Sequence, residues 1–152
     1  MDPLLTASPP LDPLSPFLFI IAVEGLGRMF KAHQERGILK GLDPHLSGTP
    51  HTHQQFVDDT MLMGHPSIQE AKEFQRCFNI FSRASGLEVN PSKSSIFFFN
   101  TPILLRERII IILGYNQEIL PSKYLGIPLS DTILKRASWQ ELLDKLQNKL
   151  LS

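Results

Sequence analysis

Apolar side chains recur along this chain first at helical and then at strand spacing. Phe17, Leu18, Ile21, Ala22, Leu26, Met29 and Phe30 fall three and four residues apart, which predicts an amphipathic helix. Ser15 supplies an N-cap oxygen, Pro16 is pre-set for the first turn, and Gly37 marks the stop. Gly41, Pro44, Gly48 and Pro50 then interrupt any period and predict a loop or irregular hairpin. Gln55-Phe56-Val57 and Thr60-Met61-Leu62-Met63 are short β-type runs on either side of Asp58 and Asp59, a hairpin with both acids at its tip. Gly64 and Pro66 close it. Ser67 with Glu70 reads as a capping box for a helix striped by Ala71, Phe74, Phe78 and Phe81 and ended by Gly86.

The second half repeats the alternation with weaker punctuation. Leu87–Asn90 and Ser95–Phe99 are strand candidates separated by Pro91-Ser92-Lys93, a second hairpin. Pro102 opens a helix whose run Ile109–Leu113 is closed by Gly114. Tyr124 to Leu129 reads as a short strand with Pro128 at an edge. Ser138 and Glu141 form a second capping box, ahead of a last helix striped by Trp139, Leu142, Leu146 and Leu150. Helix, hairpin, helix, hairpin, helix, strand, helix is an α+β order. Residues 1–14 are proline-rich and predict a disordered lead-in.

Composition narrows this picture. A chain of 152 residues, 42% hydrophobic, has enough apolar material for one core. Lys+Arg and Asp+Glu both number 15, so the basic footprint of a free-standing nucleic-acid binder is absent overall. Residues 1–76 hold 6 basic and 9 acidic side chains, and residues 77–152 hold 9 and 6, a mild segregation of charge. The one cysteine, Cys77, excludes an internal disulfide and sits on the apolar side of a predicted helix, as a small core residue would. The run Phe17 to Val23 is too short to span a bilayer, and no Lys or Arg precedes Arg28. The expectation is an intracellular chain without membrane span, signal or transit peptide, its compartment unknown.

The chemistry centres on the two acids. Carboxylates held side by side repel by roughly 4 kcal/mol at about 4 Å and an effective dielectric of about 20. A cation between them removes that cost, and hard oxygen ligands suit Mg²⁺ or Mn²⁺. A solvated Asp-Asp turn is the plainer alternative. His51, His53 and His65 lack a defined fourth ligand and do not make a zinc site. Phe97, Phe98 and Phe99 alternate faces as consecutive strand residues, so they read as core and edge rather than as a base-stacking platform.

Four stretches in fixed order extend the reading: Asp12-Pro13-Leu14-Ser15-Pro16-Phe17-Leu18-Phe19-Ile20, Phe56-Val57-Asp58-Asp59-Thr60, Ser85-Gly86-Leu87-Glu88-Val89-Asn90-Pro91-Ser92-Lys93-Ser94 and Tyr124-Leu125-Gly126-Ile127-Pro128-Leu129. Over about residues 12–152 the chain resembles the reverse transcriptase of plant non-LTR retrotransposons of the long-interspersed-element type. The resemblance implies a partial polymerase palm at 15–130, a small antiparallel sheet with the Asp-Asp hairpin backed by helices, and the truncated start of a thumb at 131–152. It implies Asp58 and Asp59 as catalytic ligands of Mg²⁺ or Mn²⁺, with Asp58 the firmer, and Lys93 as a catalytic cation near the nucleotide phosphates. Ser15, Pro16 and Phe56 would contact nucleotide or template, and Tyr124, Leu125 and Gly126 would belong to a primer grip. An RNA template and a DNA primer are the implied partners.

The pattern also departs from that family. The family's first catalytic aspartate ends an apolar strand ahead of the first helix. Here only Asp2, Asp12 and Asp43 precede the hairpin pair, and none ends such a strand. Pro10-Leu11 stands where a Gln-Gly is expected, and Gln54 and Gln55 replace two apolar residues of the strand entering the hairpin. The fingers have no counterpart. The expectation is a polymerase fragment inactive alone, active only if another chain supplied fingers and carboxylate; the alternatives are a non-catalytic nucleic-acid-binding relic or a functionless product of a decayed element. Unpaired edges near Ile96–Phe99 and Ile109–Ile112 predict marginal stability and a tendency to aggregate.

Overall fold

The computed structural model describes residues 14–42, 48 and 50–150. The lead-in predicted at 1–14 lies outside the described residues except for Leu14, as do Asp2, Asp12 and Asp43. The architecture is α+β, helices with short two-stranded sheets, in two compact units, residues 1–89 and 90–152.

The first unit opens with α1, Ser15–Glu35. Ser15 is the first helical residue rather than its cap: Leu14 holds the cap position and no side chain bonds there. Pro16 sits in the first turn, where a missing N–H costs nothing. Two strands follow, β1 (His53–Phe56) and β2 (Asp59–Leu62), antiparallel with Phe56 opposite Asp59 and His53 opposite Leu62. Helix α2, Ile68–Ser85, completes the unit. Ser67 Oγ accepts the Glu70 N–H at 3.1 Å, and Gly86 closes the helix at φ +74°. The reciprocal half of the capping box is not made, because the Glu70 carboxylate instead accepts the His65 N–H at 3.2 Å.

The core of this unit lies where α1, α2 and β1 meet. Leu26, Phe30, Leu39, Ala71, Phe74, Cys77 and Phe81 are buried. Phe30 is fully enclosed, edge-on to Phe74 (5.7 Å) and Phe78 (5.9 Å) and tilted against His53 (5.3 Å). Each such ring withdraws apolar area worth about 1.5–3 kcal/mol. His33 enters the same core. Its Nδ1 lies 2.7 Å from the Met29 carbonyl and donates to it, so Nε2 accepts from Arg76 Nη2 at 2.8 Å; that pairing assigns the neutral tautomer. Beside it, burial pushes the Cys77 thiol up to about 11, so the residue is a packing element and not a nucleophile. The predicted α1 stripe is corrected at its start. Among the described residues, Phe17, Leu18, Ile20 and Ile21 are each more than 60% exposed, Phe19 and Ala22 are half-buried, and the fully buried positions of α1 begin at Leu26.

The second unit contains β3 (Ser95–Ile96), α3 (Ile103–Leu113), β4 (Asn116–Gln117), β5 (Ser122–Tyr124), β6 (Ile127–Leu129) and α4 (Gln140–Leu150), with 3₁₀ turns at Pro91–Lys93 and Arg136–Trp139. The second predicted hairpin does not form. Asn90 Oδ1 accepts the Ser92 N–H (3.0 Å) and hydroxyl (2.7 Å), and this local turn diverts the chain into the 3₁₀ segment. Ser95–Ile96 then pairs in parallel with Asn116–Gln117 across α3. Tyr124–Leu129 is likewise a hairpin rather than one strand: Leu125 (φ +51°) and Gly126 (φ +80°) form a two-residue turn that returns the chain so that Tyr124 faces Ile127. The second capping box also fails. Ser138 falls inside the 3₁₀ turn, and the Glu141 carboxylate is taken by Lys123 and by Lys145 (2.9 Å). Those ammonium groups hold the Glu141 carboxyl down at about 2. Trp139 is half-buried in the 3₁₀ turn that leads into α4.

Candidate active site

The loop between β1 and β2 has two residues, Val57 and Asp58. Such loops favour turns with positive φ, because their twist matches that of the flanking strands. Val57 provides it at φ +52°, a left-handed conformation that β-branched residues rarely adopt and that stores about 1–3 kcal/mol. The acid pair is therefore offset from the predicted tip. Asp58 occupies the loop, and Asp59 is the first residue of β2, opposite Phe56. Phe56, Val57, Asp58 and Asp59 are all exposed, so both carboxylates stand in water at the end of the hairpin.

Two carboxylates in solvent fit a hard divalent ion in donor type, and Mg²⁺ commonly binds one or two carboxylates with water and phosphate oxygens completing its shell. Among the described residues no group of three or more His, Cys, Asp or Glu side chains is placed to hold a metal ion.

The hairpin stands on α1 through polar contacts that hydrophobic patterning does not anticipate. Gln55 Nε2 donates to the Val23 carbonyl at 3.2 Å, beside the bare surface of Gly27. The Thr52 hydroxyl lies 3.0 Å from His53 Nδ1 and 3.4 Å from Gln34 Oε1, and Gln34 Nε2 donates to the Pro50 carbonyl at 2.5 Å. Burial lowers the His53 pKa, and the Glu24 charge partly opposes it. The replacement of apolar residues by Gln54 and Gln55 therefore has a structural counterpart: Gln54 is exposed, and Gln55 turns to the helix and satisfies its amide there.

At the hairpin's exit, Glu70 is buried with its Oε2 on the His65 N–H. Burial raises its pKa, against the opposing pull of that N–H. A raised carboxyl pKa means the folded state binds the proton more tightly, so stability falls as pH climbs from the ordinary value of 4.5 through the folded one. Glu70→Gln is expected to flatten that slope and to stay within about 1 kcal/mol of the parent at neutral pH. Denaturant midpoints taken across pH 4–8 check it, and an unchanged slope would refute the assignment.

The remaining expected site residues divide between the units. Ser15 and Pro16 are exposed at the start of α1, in the same unit as the acid pair. Lys93 ends the exposed 3₁₀ turn of the second unit. Tyr124, half-buried, and Leu125 and Gly126, exposed, form the β5–β6 turn there.

An α+β scaffold that presents adjacent exposed carboxylates on a tight hairpin suits divalent-ion chemistry on phosphates. Residues 12–129 match the reverse transcriptase (RNA-dependent DNA polymerase) family, and the chain belongs to that family. Among the described residues, no helix is long and apolar enough to cross a membrane.

Proposed function

We propose that the chain is a palm segment of a plant non-LTR-type reverse transcriptase, spanning 15–130 with the start of a thumb at 131–152, and that it does not polymerise alone. The observation that carries the reading is the two-residue hairpin with Asp58 in its loop and Asp59 opening β2, both in solvent. Asp58 and Asp59 would hold Mg²⁺ or Mn²⁺. A bound ion supplies charge neutralisation at phosphate oxygens and acidifies an attacking hydroxyl. Lys93 offers a further positive charge for nucleotide phosphates, Ser15, Pro16 and Phe56 a surface for nucleotide and template, and the Tyr124-Leu125-Gly126 turn a rest for the primer. The substrates are an RNA template and a DNA primer.

Inactivity follows from the carboxylate inventory. A two-ion centre, its ions about 3.5–4 Å apart, requires acids from more than one strand. The hairpin supplies both of its acids from one turn, and Asp2, Asp12 and Asp43 lie in stretches broken by proline. Activity would need a third carboxylate, and the fingers, from outside these 152 residues. Primer extension on an RNA template with Mg²⁺ or Mn²⁺ tests this: the chain alone is expected to add no nucleotide. Incorporation by the chain alone, abolished by Asp58→Ala, would overturn the inactivity.

A further inference from the structure

We infer that Gln55 is a positioning residue for the Asp58 and Asp59 carboxylates, acting as an amide latch that enters the gap left by Gly27 and hangs the hairpin from the Val23 carbonyl of α1. The inference rests on the reading of that hairpin as half of a metal centre.

The geometry is specific to this pair of residues. A carbonyl inside a helix already accepts the N–H four residues on, so a second donor reaches it only where the helix surface is open. Gly27 provides the opening: a Cβ there would lie 2.9 Å from Gln55 Oε1 and 3.2 Å from His53 Nε2. His53 and Gln55, two apart on β1, are both half-buried, whereas their neighbours Gln54 and Phe56 are exposed. One face of the strand is thereby seated on α1 by polar groups. From Gln55 only Phe56 and Val57 intervene before Asp58, and the two-residue loop leaves little slack between latch and carboxylates. Gly27 in a helix interior is otherwise unfavourable, and this close approach gives it a use.

The latch predicts an unusual separation between stability and position. In Gly27→Ala the new methyl evicts the Gln55 amide, a flexible group that can swing aside. The lost hydrogen bond and the gain in helix propensity nearly cancel, so the folded-to-unfolded ratio should stay within roughly threefold of the parent. The native-state amide resonances of Asp58 and Asp59 should nevertheless shift, while those of Phe74 and Phe81 in α2 stay in place. Gln55→Glu keeps the shape but lacks the N–H donor and should shift the same resonances. In a Gln55→Ala background no amide remains to evict, and adding Gly27→Ala should raise the folded-to-unfolded ratio by roughly two- to fivefold. Unmoved Asp58 and Asp59 resonances in Gly27→Ala and Gln55→Glu, or an equal gain from Gly27→Ala in both backgrounds, would overturn the latch. The resonances are read without metal. Failure of the metal-centre reading shows separately, as Mn²⁺ relaxation of the parent chain that Asp58→Ala leaves unchanged.

Discussion

Phe30→Ala is expected to destabilise the first unit by about 3–5 kcal/mol, the usual cost of removing a fully enclosed aromatic ring. The ring is completely buried and touches three others, Phe74 and Phe78 on α2 and His53 on β1. Its loss thus opens a cavity where α1, α2 and the hairpin meet. Typical domains have only about 5–15 kcal/mol in total, so the variant should approach the unfolding threshold. Loss of helical circular dichroism in urea measures the effect, and amide exchange in α1 and α2 assigns it to this unit. Phe17→Ala is the matched control, since that side chain is 65% exposed and its removal should cost little. A drop below about 1 kcal/mol for Phe30→Ala would mean that the core is loosely packed and collapses around the loss.

The contrast between these two phenylalanines shows what periodicity conveyed and what it did not. Spacing placed both on one helix, and the helix forms over the expected residues. Burial depends on what stands opposite, and among the described residues the fully buried positions of α1 begin only at Leu26. Helix α2 was legible in its extent, because Ser67, the Ala71-Phe74-Phe81 stripe and Gly86 agree with one another, although Phe78 is only half-buried and Glu70 does not complete the capping box. The second unit was less so. At Asn90 a side chain outcompetes the strand for backbone N–H groups, and the Leu125-Gly126 turn hides a hairpin inside what reads as a single strand. The acid pair was legible as a hairpin turn, yet its register was off by one, since a valine takes the left-handed position that an Asn or Gly normally signals. The polar seat under the hairpin escaped because hydrophobic patterning scores glutamines as solvent-facing. A glycine on α1 and a glutamine on the half-buried face of a strand were its traces.

The same seat makes Gly41 the position where a single methyl should do the most damage. Gly41 is buried at φ +69°, and a Cβ there would lie 2.6 Å from the His51 carbonyl oxygen and 2.8 Å from its carbon. Those are backbone atoms and cannot swing aside. They belong to the bridge in which Leu42 and His51 exchange both hydrogen bonds, each 2.8 Å, directly ahead of β1. Gly41→Ala must therefore move the strand entry or break the bridge, besides accepting a left-handed alanine at roughly 1–2 kcal/mol. The expected loss exceeds about 2 kcal/mol, with faster amide exchange at Leu42, His51 and Met63, whose N–H donates to the Thr52 carbonyl. Gly37→Ala separates the two contributions, because Gly37 has the same φ of +69° but nothing within 4 Å of its Cβ position. It should show the backbone cost alone. If Gly41→Ala proves no worse than Gly37→Ala, the contact with His51 does not hold the strand. The excess of one over the other measures how firmly the entry to β1, and through it the register of Asp58 and Asp59, is held by the close approach of two backbones.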